Sequence, residues 1–288
     1  MPVPPPPLTR RAFLVGGTAL AAAVVAGCSG GDDGASSPST AVGDQAAPTS
    51  AAGVTGEAAD PTTDPTAGPT NDASGDASTT AAPAGPAEFV VQGSGDDDVV
   101  ALTFHTNGDL DLADRLISTL AERDAVATSF MIGEWLAANP SMADRMAGTF
   151  EFANHTWTHP TFSSLSAAQM ADEIGRCKET LIELTGGAGR FFRPSGVDDG
   201  TVPPAATILD VAGEAGYEVI LGWDVEPYDY RDPGAAAIEQ AVRQQVGPGS
   251  VISLHFGHPG TVQALPAILD LLDERGLRTV TASELLGR

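Results

Sequence analysis

Five histidines are the residues of this chain best suited to chemistry: His105, His155, His159, His255 and His258. All five fall at or just after the end of a short apolar run. Scattered surface histidines have no reason to do so, and one shared site is the economical expectation. His155 and His159 stand four residues apart in the segment N-H-T-W-T-H-P, with no Glu between them. Two neutral imidazoles at that spacing can hold one face of a divalent ion, and a carboxylate would complete a set that leaves a position open for water. By itself the spacing suits two ordinary loop histidines equally well. The chain has only two cysteines, Cys28 and Cys177, so a Cys-rich zinc site or a disulfide framework is excluded, and any metal must rest on imidazole and carboxylate.

The elements that must position these residues follow from the hydrophobic pattern. Strand-like runs lie at 99–104, 128–132, 150–154, 190–193, 219–223, 251–255 and 278–281, and helix-like stretches at 110–123, 166–184, 234–246 and 261–275. Ser166 is the expected N-cap of the second helix, and Cys177 lies on its apolar stripe with Met170, Ile174 and Leu181, which suits a small buried hydrophobe better than a reactive thiol. The alternation predicts one α/β domain over 88–288, with parallel strands covered by helices and chemistry at the C-terminal strand ends. His105 follows the first run, His155 the third, Arg193 ends the fourth, Trp223-Asp224 end the fifth and His255 ends the sixth.

The rest of the chain sets the address. A formal charge of -24, with Lys178 as the only lysine, excludes a phosphate-neutralising surface, so no nucleic-acid partner is expected. Over 1–28, Arg10-Arg11 precede a short apolar core and small residues lead into Cys28. This reads as a twin-arginine-like export signal of a lipoprotein, with Cys28 as the lipidated first residue of the mature chain. Residues 29–87 are mostly Ala, Pro, Thr, Ser, Gly and Asp, with a lone Glu57 and only Val42 and Val54 as larger aliphatics, too little to build a core. They read as a disordered tether of roughly 40 Å typical reach. The expected product is a monomer on the outer face of the cell membrane, held by lipid and facing the cell wall.

Together with Phe191-Phe192-Arg193-Pro194-Ser195-Gly196, Trp223-Asp224, Asp229-Tyr230 and Ser253-Leu254-His255, the H-T-W-T-H segment resembles the polysaccharide deacetylase family, the NodB homology domain of carbohydrate esterase family 4. The resemblance covers 99–286 in the family's motif order. It implies a distorted seven-stranded (β/α) barrel and removal of acetyl groups from amino sugars of chitin-like or peptidoglycan polymers. It also implies a divalent metal, zinc first with cobalt, nickel or manganese as alternatives, held by His155 and His159, with activated water attacking the acetyl carbonyl. His255 matches the general acid, Asp229 the acid that orients it, and Arg193 the arginine that braces a catalytic carboxylate; a structural ion pair is the alternative for Arg193.

The first motif departs from the family. Where the family has T-F-D-D-G, this chain has Thr103-Phe104-His105-Thr106-Asn107-Gly108-Asp109. His105 and Thr106 stand where the base and the metal-binding Asp are expected. Asp109 is the expected third ligand, brought back by a bulge at Asn107-Gly108, and His105 the substitute base or an additional ligand. The alternative for Asp109 is N-capping of the following helix. Trp157 either stacks on a sugar or closes its loop, and His258 reads as a rim residue. Two functional readings follow, a metal-dependent deacetylase and a carbohydrate-binding lipoprotein that has lost catalysis on the same fold. Hydrolysis of another C–N bond is a third.

Overall fold

The computed structural model describes residues 85–288, so the expected signal at 1–28 and nearly all of the tether at 29–87 lie outside the described residues. Eight strands occur in the order β1 Glu88–Val90, β2 Val99–Thr106, β3 Ala127–Met131, β4 Phe150–Asn154, β5 Phe191–Phe192, β6 Val219–Leu221, β7 Val251–His255 and β8 Arg278–Val280. The helices are α1 Leu110–Glu122, α2 Gly133–Ala138, α3 Ser141–Met146, α4 Ala167–Thr185, α5 Ala206–Glu214, α6 Ala235–Gln245, α7 Pro259–Glu274 and α8 Ala282–Leu286. None of the described helices is long and apolar enough to cross a membrane.

Every strand pairing is parallel, in the order β1-β6-β5-β4-β3-β2-β7, with β8 added beside β2. Between β7 and β6 the wall narrows to a single parallel bridge, Val225 to Ile252. This is the α/β barrel-like architecture expected, with all seven anticipated strands present. β1 is the addition: it pairs only with β6, Glu88 opposite Val219, and extends the sheet beyond the ring.

Helices form where an apolar stripe meets a usable cap. On α4, Met170, Ile174, Cys177 and Leu181 recur at helical spacing and all are buried, each large side chain contributing about 1.5–3 kcal/mol relative to exposure. Ser166 and Gln169 form a reciprocal capping box at its start and Gly186, at φ 79°, ends it. Cys177 is buried with its thiol pushed up to about 12 by burial, the inert hydrophobe expected. The central strand β2 carries Val100, Leu102 and Phe104 into one cluster with α1 and α7, and Ala101 into another inside the ring. That alternation, a consequence of the two-residue period of a strand, turns Thr103 and His105 inward with Ala101.

Candidate active site

The floor of the site is made by strand ends in register. His105, the penultimate residue of β2, lies opposite His255 at the end of β7. Next door, Asn154 ends β4 and His155 follows it. Asn154 is a buried hub: its amide donates to Ile174 O and Tyr217 Oη, and its Oδ1 accepts from Thr156 N, which starts the turn that carries His155 and His159.

That turn is strained and held. Thr156 and His159 sit at φ 74° and 60°, a left-handed region that non-glycine residues seldom occupy. From α4 the Glu173 carboxylate accepts from Trp157 N at 2.9 Å, Thr158 N at 2.8 Å and Thr158 Oγ1 at 2.8 Å, satisfying the donors that the turn exposes. Trp157 closes the loop from the other side. It packs so tightly on α2 that a Cβ at Gly133 would come within 2.5 Å of its ring, and Arg176 stacks over it at 4.5 Å. Of the two roles open for Trp157, loop closure is the one the packing displays.

A proton order runs through the buried imidazoles. His155 Nδ1 is 2.8 Å from the Arg193 carbonyl, which only accepts, so Nδ1 carries the proton and Nε2 the lone pair. His105 Nδ1 lies 2.9 Å from that Nε2 and must donate to it. His105 Nε2 is then the acceptor for Arg193 Nη1 at 3.1 Å, with Ser253 Oγ at 3.3 Å. Arg193 is almost completely buried and spends its remaining donors on Leu221 O, Gly222 O and Thr103 Oγ1, its guanidinium lying 3.9 Å over the Phe130 ring. Its neighbour in the site is an imidazole, where the family resemblance implies a carboxylate, and burial lowers its pKa. Burial also holds His105 well below the ordinary imidazole value, reinforced by His255, His155 and Arg193. His155 is held down in the same way, by burial first and then His159, against the opposing pull of the Arg193 carbonyl. His159, exposed at the rim, is lowered by desolvation and by His255.

The opposite wall is built around a carboxylate. Asp229, fully buried, accepts from His255 Nδ1 at 2.8 Å, His255 N at 2.7 Å, Thr261 Oγ1 at 2.7 Å and Tyr230 N at 3.0 Å. These fix the His255 ring with Nδ1 protonated, and the ring stacks on His105 with centroids 4.4 Å apart. A cleft of about 280 Å3 opens above, walled by His105, His159, His255, Trp223, Tyr230 and Glu226.

The sequence-expected residues are distributed unevenly. His105, His155 and His159 come together, each with a donor nitrogen within 4.8 Å of the others. Asp109, expected as the third ligand, is instead the N-cap of α1, its Oδ1 accepting from Leu112 N at 3.1 Å, and its carboxylate does not join the three imidazoles. The reason is local: Gly108, at φ 98°, makes the expected bend but spends it on packing against Gly257, where a Cβ would approach within 2.7 Å. Thr106 is buried with its hydroxyl against that of Ser129. The expectation of His105 as substitute base meets a physical obstacle, because both its nitrogens are engaged within the protein and its pKa is depressed. Asp224 is structural, accepting from Val251 N and Ser250 Oγ. His258 lies at the rim, 3.1 Å from Asp232. Glu226, Glu173 and Ser253 were not anticipated. None of the three carries a spacing signal in the sequence.

The donor chemistry fits a divalent ion. Three neutral imidazoles form one of the known open sets for catalytic zinc, and the His155 Nδ1 bond to a carbonyl is the outer contact that orients such a ligand. For His105 to use Nδ1, its proton must move to Nε2, where Ser253 Oγ can accept it in place of the hydrogen bond that Nε2 now takes from Arg193 Nη1.

Comparisons with known proteins agree with this construction. Residues 92–220 match the polysaccharide deacetylase family. A peptidoglycan-N-acetylglucosamine deacetylase of Bacillus cereus is 32% identical over 193 residues, which are 65% of this chain and 88% of the relative. A crystal structure of a peptidoglycan N-acetylglucosamine deacetylase in complex with an N-hydroxybenzamide compound superposes with TM-score 0.63 at 27% identity, covering 69% of this chain and 92% of that one. The fold is shared as well with a carbohydrate esterase family 4 pseudoenzyme from Bacillus anthracis, TM-score 0.62 at 23% identity over 69% of this chain and 68% of that one. This chain spans 66% and 60% of the lengths of two further relatives. From its β/α ring to the histidines at its strand ends, the chain belongs to the polysaccharide deacetylase family.

Proposed function

We propose that this chain is a metal-dependent hydrolase that removes acetyl groups from the amino sugars of a cell-wall or extracellular polysaccharide, cleaving an amide C–N bond. The observation that carries the reading is the convergence of His105, His155 and His159 on one side of the cleft and His255–Asp229 on the other. The three imidazoles would hold the ion, zinc before cobalt or nickel, because an all-nitrogen set suits borderline metals better than magnesium or calcium. Bound there, a divalent ion supplies Lewis-acid polarisation of the acetyl carbonyl. The protein's own groups do the rest. Asp229 holds His255 with Nδ1 protonated, so its other nitrogen, when protonated, is the donor to the leaving amine. Tyr230, half-buried in the cleft wall, gives an aromatic face on which a sugar ring can rest.

The cell address belongs to the same proposal. Arg10-Arg11 and the small residues before Cys28 support export and lipid attachment, and the composition of 29–87 supports a tether that lets a monomeric catalytic domain reach the wall from the membrane face.

Two observations favour a second reading, a sugar-binding protein with impaired catalysis: among the described residues no carboxylate joins the three imidazoles, and Arg193 braces a histidine. Acetate release from an N-acetylglucosamine oligomer with added divalent metal, compared between the wild type and His155→Ala, separates the two. Metal-dependent release that His155→Ala abolishes supports the hydrolase. Sugar binding without release turns the assignment to the second reading.

A further inference from the structure

Amide hydrolysis needs an acceptor for the proton that the attacking water loses, and the cleft narrows the choice. His105 is committed at both nitrogens, to His155 and to Arg193. Asp229 accepts four hydrogen bonds from His255, Thr261 and Tyr230, and Asp224 is bound to Val251 and Ser250. Two acids remain in the cleft wall, Asp198 and Glu226, and Asp198 stands exposed on its loop.

Glu226 is placed differently. It follows β6 by five residues, beside the Val225 bridge that joins this segment to β7, the strand that ends in His255. Its backbone is clamped on both sides by one side chain: Glu226 N donates to Gln245 Oε1 at 3.1 Å and Gln245 Nε2 donates to Glu226 O at 3.3 Å. Its Oε1 accepts from Tyr228 N at 2.8 Å, so the half-buried carboxylate enters the cleft in a fixed orientation. Nothing in the proton order of the imidazoles uses it.

We infer that Glu226 is the proton acceptor of this site, a carboxylate supplied from the β6 end of the ring in place of the one missing from the first motif. This rests on the deacetylase reading and deepens it. The water oxygen bonds to the acetyl carbon as one water proton passes to Glu226. The C–N bond then breaks as protonated His255 gives a proton to the nitrogen, and acetic acid and the free amine leave. Transfer of the proton from Glu226 to His255 through solvent restores both groups. Burial raises the Glu226 pKa, against the opposing pull of the Tyr228 N–H and of His255 and Arg193, which makes it a stronger base than an exposed glutamate once ionised.

The test compares wild type, Glu226→Gln and Glu226→Ala on an N-acetylglucosamine oligomer with one equivalent of zinc, recording kcat, KM, bound zinc and thermal stability. Glu226→Gln should lower kcat by about 10²–10⁴-fold while KM, zinc content and melting temperature stay as in the wild type. Added formate should restore part of the Glu226→Ala rate and leave wild type unaffected, which a structural role would not produce. A Glu226→Gln enzyme within about threefold of wild-type kcat, or a loss confined to KM or to bound zinc, overturns the assignment and leaves the deacetylase reading standing. A wild type that binds zinc and releases no acetate overturns the reading itself, and the role of Glu226 with it.

Discussion

His105 and His255 face each other across the same cleft, stacked 4.4 Å apart, yet they are opposite kinds of histidine. His105 is 7% exposed, receives Arg193 at one nitrogen and donates to His155 from the other, and everything around it opposes a charge. His255 is only part-buried, with an anion behind its Nδ1. The lesson is that residue type and strand-end position are shared, whereas role follows from what occupies the second nitrogen. A histidine with a cation behind it is held neutral. One with a buried carboxylate behind it is suited to carry and deliver a proton.

The contrast breaks most visibly by substitution. His255→Ala should reduce kcat for acetate release by about 10²–10⁴-fold with zinc binding intact, whereas His105→Ala should lose zinc before it loses anything else. Equal zinc loss in both would erase the distinction. Asp229→Ala should cost about 3–5 kcal/mol of stability, read by denaturant unfolding, because it leaves the buried donors of His255, Thr261 and Tyr230 without an acceptor.

Acid sharpens the other half of the comparison. In the metal-free protein His105 and His155 have folded pKa values well below the unfolded value of about 6.5. Above that pH both are neutral in either state and their contribution is complete. Below it the unfolded chain takes up protons that the folded one refuses, so stability falls as pH drops, by about 1.4 kcal/mol per pH unit for each histidine. Urea midpoints from pH 8 to 5 check this, and His105→Gln should remove that histidine's share of the slope. The smallest effect belongs to Asp109→Ala, about 1 kcal/mol from loss of the α1 cap, with acetate release unchanged.

Much of this was legible in the sequence, for identifiable reasons. Most of the seven anticipated strands are runs whose burial is nearly continuous, as parallel strands covered on both faces read, whereas β4 and β8 are only partly buried. β1 was not, because Glu88–Val90 is three residues long and gains its place only by pairing with β6. Helices α2 and α3 have six residues each and no side-chain cap, too short for a period to register. In the site, the placement of His155, His159, His255 and Asp229 at the cleft was legible from the order of motifs that the family resemblance supplied. The cap role of Asp109 was legible only as an alternative, since the choice depends on Gly257, far along the chain, meeting Gly108. The state of His105 was not legible at all, since Arg193 and Ser253 reach it across 88 and 148 residues of sequence. Glu226 went unread because a lone acid past a strand carries no spacing signal.

The central claim is that three imidazoles, with His105 in place of a carboxylate, form the metal site of this deacetylase fold. Equilibrium zinc titration of the metal-free wild type, His105→Ala, His155→Ala and Asp109→Ala tests it most directly. One ion should bind the wild type, with the same affinity in Asp109→Ala and a loss of at least about tenfold in each histidine variant. Wild-type affinity in His105→Ala, with Asp109→Ala weakened as much as His155→Ala, would contradict it.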